Sequence, residues 1–236
     1  MQAIILAGGF GTRLQAVVKE VPKPLAPISG KPFLFWLITY LQKQGVTNFI
    51  FSLGYLHNQF EDFLKQEFPN LKYDCVVEKE PLGTGGAIKY CLEKTIEKNI
   101  IIINGDTFFN LNIKDFLQFY QDTNSDCSIA LTPMQNFDRY GSVTLDNYNN
   151  VLEFNEKKYC KEGLINTGVL LLNKSVFIKK TQHLPRNFSY ENDFLEPNIS
   201  QIKVTGYIAA GYFIDIGIPE DYYKADVEMN QVLNGK

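Results

Sequence analysis

The chain opens on a short apolar run, Met1 to Leu6, that breaks directly into Ala7-Gly8-Gly9-Phe10-Gly11-Thr12-Arg13-Leu14. An apolar run ahead of a glycine-rich turn predicts a buried strand feeding a tight loop, and that strand must be covered by the chain that follows. Glycines let a backbone turn sharply and come close to a ligand. Arg13, and Lys23 in Pro22-Lys23-Pro24-Leu25, add two cations beside the bare N–H groups. This combination describes a seat for a polyphosphate. Spacing excludes two competing phosphate loops. Gly9-Phe10-Gly11 is followed by Thr12-Arg13-Leu14, without the third glycine of a dinucleotide fold. The next strand-like run, Phe49 to Leu53, ends in Gly54-Tyr55 without the acid that a ribose needs. No Gly-Lys-Ser or Gly-Lys-Thr occurs, so a P-loop is excluded.

Strand-like and helix-like segments alternate through the first half. Strands are predicted at 3–6, 48–53, 72–77 and 100–103, and helices at 33–44, 58–68 and 85–98. That order implies an α/β fold with a Rossmann-like, doubly wound, mostly parallel sheet, which binds ligands at the carboxyl ends of its strands. The second half reads as short strands at 128–132, 142–145, 151–154 and 164–172. A hairpin-like pair follows at 204–209 and 211–214, then a helix from Pro219 to about Val232; Glu191 to Leu195 reads as a helix turn. No linker, repeat or low-complexity tract interrupts 1–236. One domain is expected, with a nucleotide-binding half (1–110) and a sugar-phosphate half (111–236).

Composition removes several classes. A net charge of −3 argues against nucleic acid as a partner. The four cysteines are widely spaced, without a Cys-x-x-Cys pair, as in a reducing cytoplasm. No apolar run has the roughly 18 residues of a membrane span, and no secretion signal is evident. An aromatic content of 14% would allow a homo-oligomeric interface.

Two carboxylates stand out. Asp106 follows the apolar run 100–103, and Asp215 follows Tyr212-Phe213-Ile214 and precedes Ile216-Gly217. Carboxylates at strand ends beside a phosphate loop suit Mg²⁺, which takes one or two of them plus phosphate oxygens; each is also a plausible turn residue or helix cap. Glu78 and Glu80 precede Pro81-Leu82-Gly83-Thr84-Gly85-Gly86-Ala87, whose bare backbone could pack against a base or ribose. A carboxylate there could accept both N1–H and N2–H of guanine, or simply be solvated. Lys157 could hold a second phosphate or belong to a solvated turn. Asn166-Thr167-Gly168 offers groups suited to sugar hydroxyls, and Arg139-Tyr140-Gly141 could bring backbone close to the same sugar. His57 and His183 are isolated and fit no Ser-His-Asp pattern.

Taken together and in this order, Leu-Ala-Gly-Gly-Phe-Gly-Thr-Arg-Leu, Pro-Lys-Pro-Leu, Pro-Leu-Gly-Thr-Gly-Gly-Ala, Asn-Gly-Asp, Asn-Glu-Lys, Asn-Thr-Gly and Asp-Ile-Gly resemble the sugar-1-phosphate nucleotidylyltransferases from Met1 to about Lys224. The resemblance implies transfer of a nucleoside monophosphate, GMP from GTP above all, onto a sugar 1-phosphate with Mg²⁺ as cofactor. A heptose 1-phosphate is the sugar it favours, as in bacterial surface-polysaccharide synthesis. Mannose-1-phosphate guanylyltransferases and N-acetylmuramate-1-phosphate uridylyltransferases are near neighbours. It implies that Gly8, Gly9, Gly11, Thr12 and Arg13 hold the nucleotide phosphates, that Lys23 contacts the phosphates near the reacting centre, and that Glu78 reads the base with Gly83 and Thr84 beside base and ribose; Leu6, Ala7 and Glu80 are further nucleotide-binding candidates. Arg13, Lys23 and Asp106 are implied as catalytic, and Asp106 with Asp215 as the metal ligands. Lys157 falls on the sugar phosphate, and Gly141, Glu156 and Asn166 on the sugar; Glu191 is a further sugar-side candidate, from a loop expected beside Gly141 and Asn166. Ile218 stands where Thr or Ser is common in the family. A non-catalytic nucleotide-sensing subunit is the alternative of a different class; it would not need both carboxylates and the cations together.

Overall fold

The computed structural model describes residues 1–9, 14, 17–18, 21–54, 56–155 and 157–234. Strand β1 (Gln2–Leu6) is followed, after the glycine loop, by a two-residue ladder of β2 (Pro27–Ile28) and β3 (Lys31–Pro32), which leads into helix α1 (Phe33–Lys43). Next come β4 (Asn48–Leu53), α2 (His57–Glu67), β5 (Tyr73–Val77), α3 (Gly83–Cys91) and β6 (Asn99–Asn104). The second half runs β7 (Thr107–Phe109), α4 (Ile113–Asp122), β8 (Cys127–Phe137), β9 (Val143–Leu145), β10 (Val151–Phe154), β11 (Cys160–Asn173) and α5 (Lys174–Thr181). It ends with a π-helical turn at Tyr190–Leu195, α6 (Glu196–Asn198), β12 (Val204–Ile208), β13 (Phe213–Asp215) and α7 (Pro219–Asn234).

Seven strands form one sheet in the order β12-β8-β11-β6-β1-β4-β5. Only β11 runs antiparallel to its neighbours, so the expected mostly parallel α/β sheet is what forms. The apolar run of β6 shows why its strands carry no polar alternation. Ile101 and Ile103 point into a core shared with α1, α2 and α4, while Ile100 and Ile102 point into a second core shared with α3, α5 and the π-helical turn. A strand covered on both faces needs apolar residues at both parities. Among the described residues no helix is long and apolar enough to cross a membrane.

Four local expectations are corrected. The strands near 204–209 and 211–214 do not pair with each other: β12 joins β8 at the sheet edge, and β13 pairs antiparallel with β7. The helix expected to reach Lys98 ends at Cys91 and tightens into a 3₁₀ turn, Leu92–Lys94, that brings the chain back to β6. Helices α4 and α5 form where none was expected, each capped by an asparagine side chain, Asn112 and Asn173, that accepts the first free N–H groups. The turn at 191–195 is a π-helix that begins one residue earlier.

Candidate active site

The carboxyl ends of β1, β4, β5 and β6 meet on one side of the sheet, and the chain turns there bring the predicted residues together. Leu6 accepts from Gly105 N–H at 2.8 Å, and Ala7 N–H donates to Ser52 at 2.9 Å, so the start of the glycine loop is tied to the two strands beside it. A side chain at Gly8 would collide with Glu78, its Cβ falling 2.7 Å from Oε1. Among the described residues nothing lies within 4 Å of a Cβ placed at Gly9. Gly11, Thr12, Arg13 and Glu156 lie outside the described residues.

Asp106 and Asp215 are far apart in sequence and adjacent in space, because the β7–β13 ladder sets Asp215 opposite Thr107. The ammonium of Lys23 bridges them, 2.6 Å from Asp106 Oδ2 and 3.1 Å from Asp215 Oδ1. Lys23 reaches there from a 3₁₀ turn, Lys23–Leu25, that the flanking prolines start and stiffen. Gly217 donates its N–H to Asp215 Oδ1 at 2.8 Å. Its Cβ would fall 2.9 Å from that oxygen and 3.0 Å from Lys23 Nζ, so any larger residue would crowd the charge cluster. The Asp-x-Gly motif is therefore explained by packing against ions.

Two hollows meet at this cluster. One, of about 320 Å³, is lined by Gly8, Gly9, Glu78, Gly83, Thr84 and Asp106. The other, of about 540 Å³, is lined by Gly141, Lys157, Asn166, Glu191 and Asp215, among others. Asn104 lines both. Gly8, Gly9, Glu78, Gly83 and Thr84 thus line one chamber and Gly141, Lys157, Asn166 and Glu191 the other, with the carboxylate pair between them. Glu78 is fixed by Ser52 Oγ at 2.8 Å and by the N–H of Leu82 at 3.0 Å, one donor on each oxygen among the described residues. Glu80 is not in this chamber. Its side chain is exposed and lines a separate hollow across α3, 4.0 Å from Arg186. Period two along an extended segment would put 78 and 80 on one face, but the chain bends into Pro81.

Gly85 and Gly86 pack against the chain itself rather than facing a ligand. A Cβ at Gly85 would meet the Phe188 ring at 2.2 Å, and one at Gly86 the backbone oxygen of Arg186 at 2.1 Å. Gly85 N–H donates to Phe188 O, and Phe188 N–H donates to Leu82 O. The bare backbone is covered by segment 184–190 of the same chain. Only Gly83 and Thr84 of this group line the chamber beside Glu78.

In the second chamber, β11 breaks register between Asn166 and Leu170, with Gly168 at φ +75°. This bulge re-aims Asn166, a common use of bulges. Asn166 donates to Glu191 Oε1 at 2.7 Å and to the phenol of Tyr190 at 2.9 Å. Tyr140 also lines the chamber, and burial first, then the charge of Asp215, pushes its phenol well above the usual range. It stays a neutral donor. Lys157 sits exposed at the rim. Asn192 and Glu196 line the second chamber without a distinguishing signal in the sequence, and Asn104 and Tyr140 were visible only as members of Asn-Gly-Asp and Arg-Tyr-Gly.

A glycine loop, a lysine–carboxylate cluster and two chambers at the carboxyl edge of a doubly wound sheet define a class. The chain belongs to the nucleotidyl transferase family, whose match spans residues 2–232. It is 45% identical to the D-glycero-alpha-D-manno-heptose 1-phosphate guanylyltransferase of Aneurinibacillus thermoaerophilus, over 99% of this chain and 100% of that one. Its fold matches HddC from Yersinia pseudotuberculosis with a TM-score of 0.86 at 42% identity, covering 95% of this chain and 97% of that one. A second HddC structure, complexed with GMP-PN, matches with a TM-score of 0.84 at 41% identity and the same coverage.

Proposed function

We propose that the protein transfers GMP from GTP to D-glycero-α-D-manno-heptose 1-phosphate, releasing pyrophosphate and forming a GDP-heptose. The observation that carries this is the Lys23–Asp106–Asp215 cluster between two chambers, each of which suits one phosphorylated substrate. Likeness to relatives named for that reaction supports the choice of guanine and of heptose. Glu78, held by Ser52 and Leu82, would accept N1–H and N2–H of guanine. Gly8 and Gly9 offer backbone N–H groups to the triphosphate, with Lys23, and Arg13 from the same loop, as counter-charge.

The acceptor phosphate is already ionised at neutral pH, so its oxygen can attack the α-phosphorus without a general base. The α–β phosphoanhydride bond breaks, and its electron pair leaves on pyrophosphate. The chain's contribution is positioning and charge. Lys157 at the rim would hold the sugar phosphate, and Asn166 and Glu191 would orient the sugar hydroxyls. Asp106 and Asp215 fit Mg²⁺ as hard oxygen donors that already converge on one cation. Among the described residues no third His, Cys, Asp or Glu completes a ligand set, so phosphate oxygens and water would fill the shell. When bound, the ion would neutralise charge on the phosphates.

The test is a panel: the protein with Mg²⁺, the four ribonucleoside triphosphates and dTTP, each paired with heptose, mannose, glucose and N-acetylmuramate 1-phosphates, read as pyrophosphate release. GTP with the heptose 1-phosphate should be the fastest pair. A faster turnover with mannose 1-phosphate or UTP would overturn the assignment.

A further inference from the structure

Tyr190 is almost fully buried at the start of the π-helical turn, yet it is hydrogen-bonded at both ends. Its backbone N–H donates to Thr84 Oγ1 at 3.1 Å, on the rim of the nucleotide chamber. Its phenol accepts from Asn166 Nδ2 at 2.9 Å and donates to Glu191 Oε1 at 3.3 Å, in the sugar chamber. Asn166 is itself locked by accepting from Gly168 N–H at 2.9 Å. The connection continues on the nucleotide side. Glu78 accepts from Leu82 N–H, Leu82 O accepts from Phe188 N–H, and Asn187 donates to Pro81 O at 2.8 Å. The loop that meets the base and the turn that carries Glu191 are therefore laced together, and Tyr190 is the residue that bonds to both sides. A buried phenol or amide costs free energy unless satisfied, so these bonds hold the residue in one position at both ends. Burial foremost, then the neighbouring Glu191 charge, keeps the phenol protonated and able to donate.

We propose that Tyr190 is a positioning residue that makes the geometry of the sugar subsite depend on the nucleotide subsite. It holds Glu191 and Asn166 in place for the sugar hydroxyls, and its own position is set through Thr84 and the Leu82–Phe188 contact. The proposal rests on the two-substrate reading given above. It makes a prediction that a purely structural tyrosine does not: the two substrates bind cooperatively, and the cooperativity runs through the Tyr190 backbone contact with Thr84.

Two variants test it, Tyr190→Phe and Thr84→Val, on whichever sugar 1-phosphate the wild type turns over fastest. A hydrogen bond to a charged carboxylate contributes enough that its loss should raise the KM for the sugar phosphate about tenfold in Tyr190→Phe. Its KM for GTP should stay within about twofold, and its kcat within about threefold. Calorimetric binding of the sugar phosphate, with and without a GTP analogue bearing a methylene between the α- and β-phosphorus, gives the coupling. Tighter sugar-phosphate binding with the analogue is expected in the wild type and should be largely lost in Thr84→Val. A wild-type KM for the sugar phosphate in Tyr190→Phe would overturn the proposal. So would parallel rises in both KM values with a lowered melting temperature, or a wild type that binds the sugar phosphate equally well with and without the analogue. A wild type that turns over another sugar but not the heptose would instead overturn the heptose assignment and leave this comparison intact.

Discussion

Gly86→Ala separates two explanations of the Gly-Thr-Gly-Gly segment. The added Cβ would lie 2.1 Å from the backbone oxygen of Arg186 and 3.1 Å from Leu82 Cβ. Because the close partner is backbone, segment 184–190 must retreat by more than about 1 Å, whereas a flexible side chain could have stepped aside. Overpacking of this kind costs about 1–3 kcal/mol. The shift also strains the Gly85–Phe188 and Phe188–Leu82 hydrogen bonds, each worth about 1 kcal/mol. Alanine in a helix returns about 1 kcal/mol relative to glycine. The net loss is about 2 kcal/mol, or about 4–8 °C in melting temperature for a domain of this size. The assay is differential scanning calorimetry of the ligand-free protein, with steady-state kinetics alongside. The KM for the sugar phosphate should rise more than that for GTP, since the displaced segment carries Tyr190 and Glu191. An unchanged or higher melting temperature together with a raised KM for GTP would refute this and show that the glycine serves the nucleotide directly.

Asp106→Asn should lower kcat by roughly 10²–10³-fold with a melting temperature within about 2 °C of wild type; near-normal turnover at saturating Mg²⁺ would remove Asp106 from the reaction centre. Lys157→Ala should raise the KM for the sugar phosphate by about tenfold or more with little change for GTP, and kinetics on both substrates check it. Burial pushes the thiols of Cys75 and Cys91 up to about 11 and about 12, and that of Cys127 higher still. Only Cys160 should therefore react quickly with a disulfide reagent at pH 8, one equivalent per native chain, and a second fast equivalent would contradict the burial. The same groups destabilise the fold in alkali. The unfolded chain releases these protons near pH 8.5–9 while the native chain retains them. Stability is thus unaffected below about pH 8 and falls as pH rises toward 12, which urea unfolding across that range would show.

Much of the site was legible because it consists of short motifs with separate physical jobs. The glycine loop after β1, the lysine between prolines and the carboxylates at two strand ends each stand out as a motif, and the fold brings Lys23 against both carboxylates. What was not legible depends on partners distant in sequence. Nothing local in 204–214 shows that β12 pairs with β8 and β13 with β7. The glycines at 85 and 86 look like ligand contacts until Phe188 and Arg186 are seen against them. Glu80 and Glu78 are chemically alike, and only the bend at Pro81 sends one away from the chamber. Tyr190 looks like any core aromatic, because its function lies in bonds to Thr84, Asn166 and Glu191 that only the fold brings within reach. Helix α4 did leave a signal: Asn112 ahead of Ile113, Phe116 and Tyr120 is a cap followed by an apolar stripe at helical spacing.

The central claim is that two phosphorylated substrates meet across the Lys23–Asp106–Asp215 cluster and that a sugar-phosphate oxygen displaces pyrophosphate from GTP. It is tested most directly with D-glycero-α-D-manno-heptose 1-phosphate carrying ¹⁸O on its non-bridging phosphate oxygens, incubated with GTP and Mg²⁺ and analysed by mass spectrometry. All of the label should be found in GDP-heptose and none in pyrophosphate. Label in released inorganic phosphate, or absence of the GDP-sugar, would contradict it.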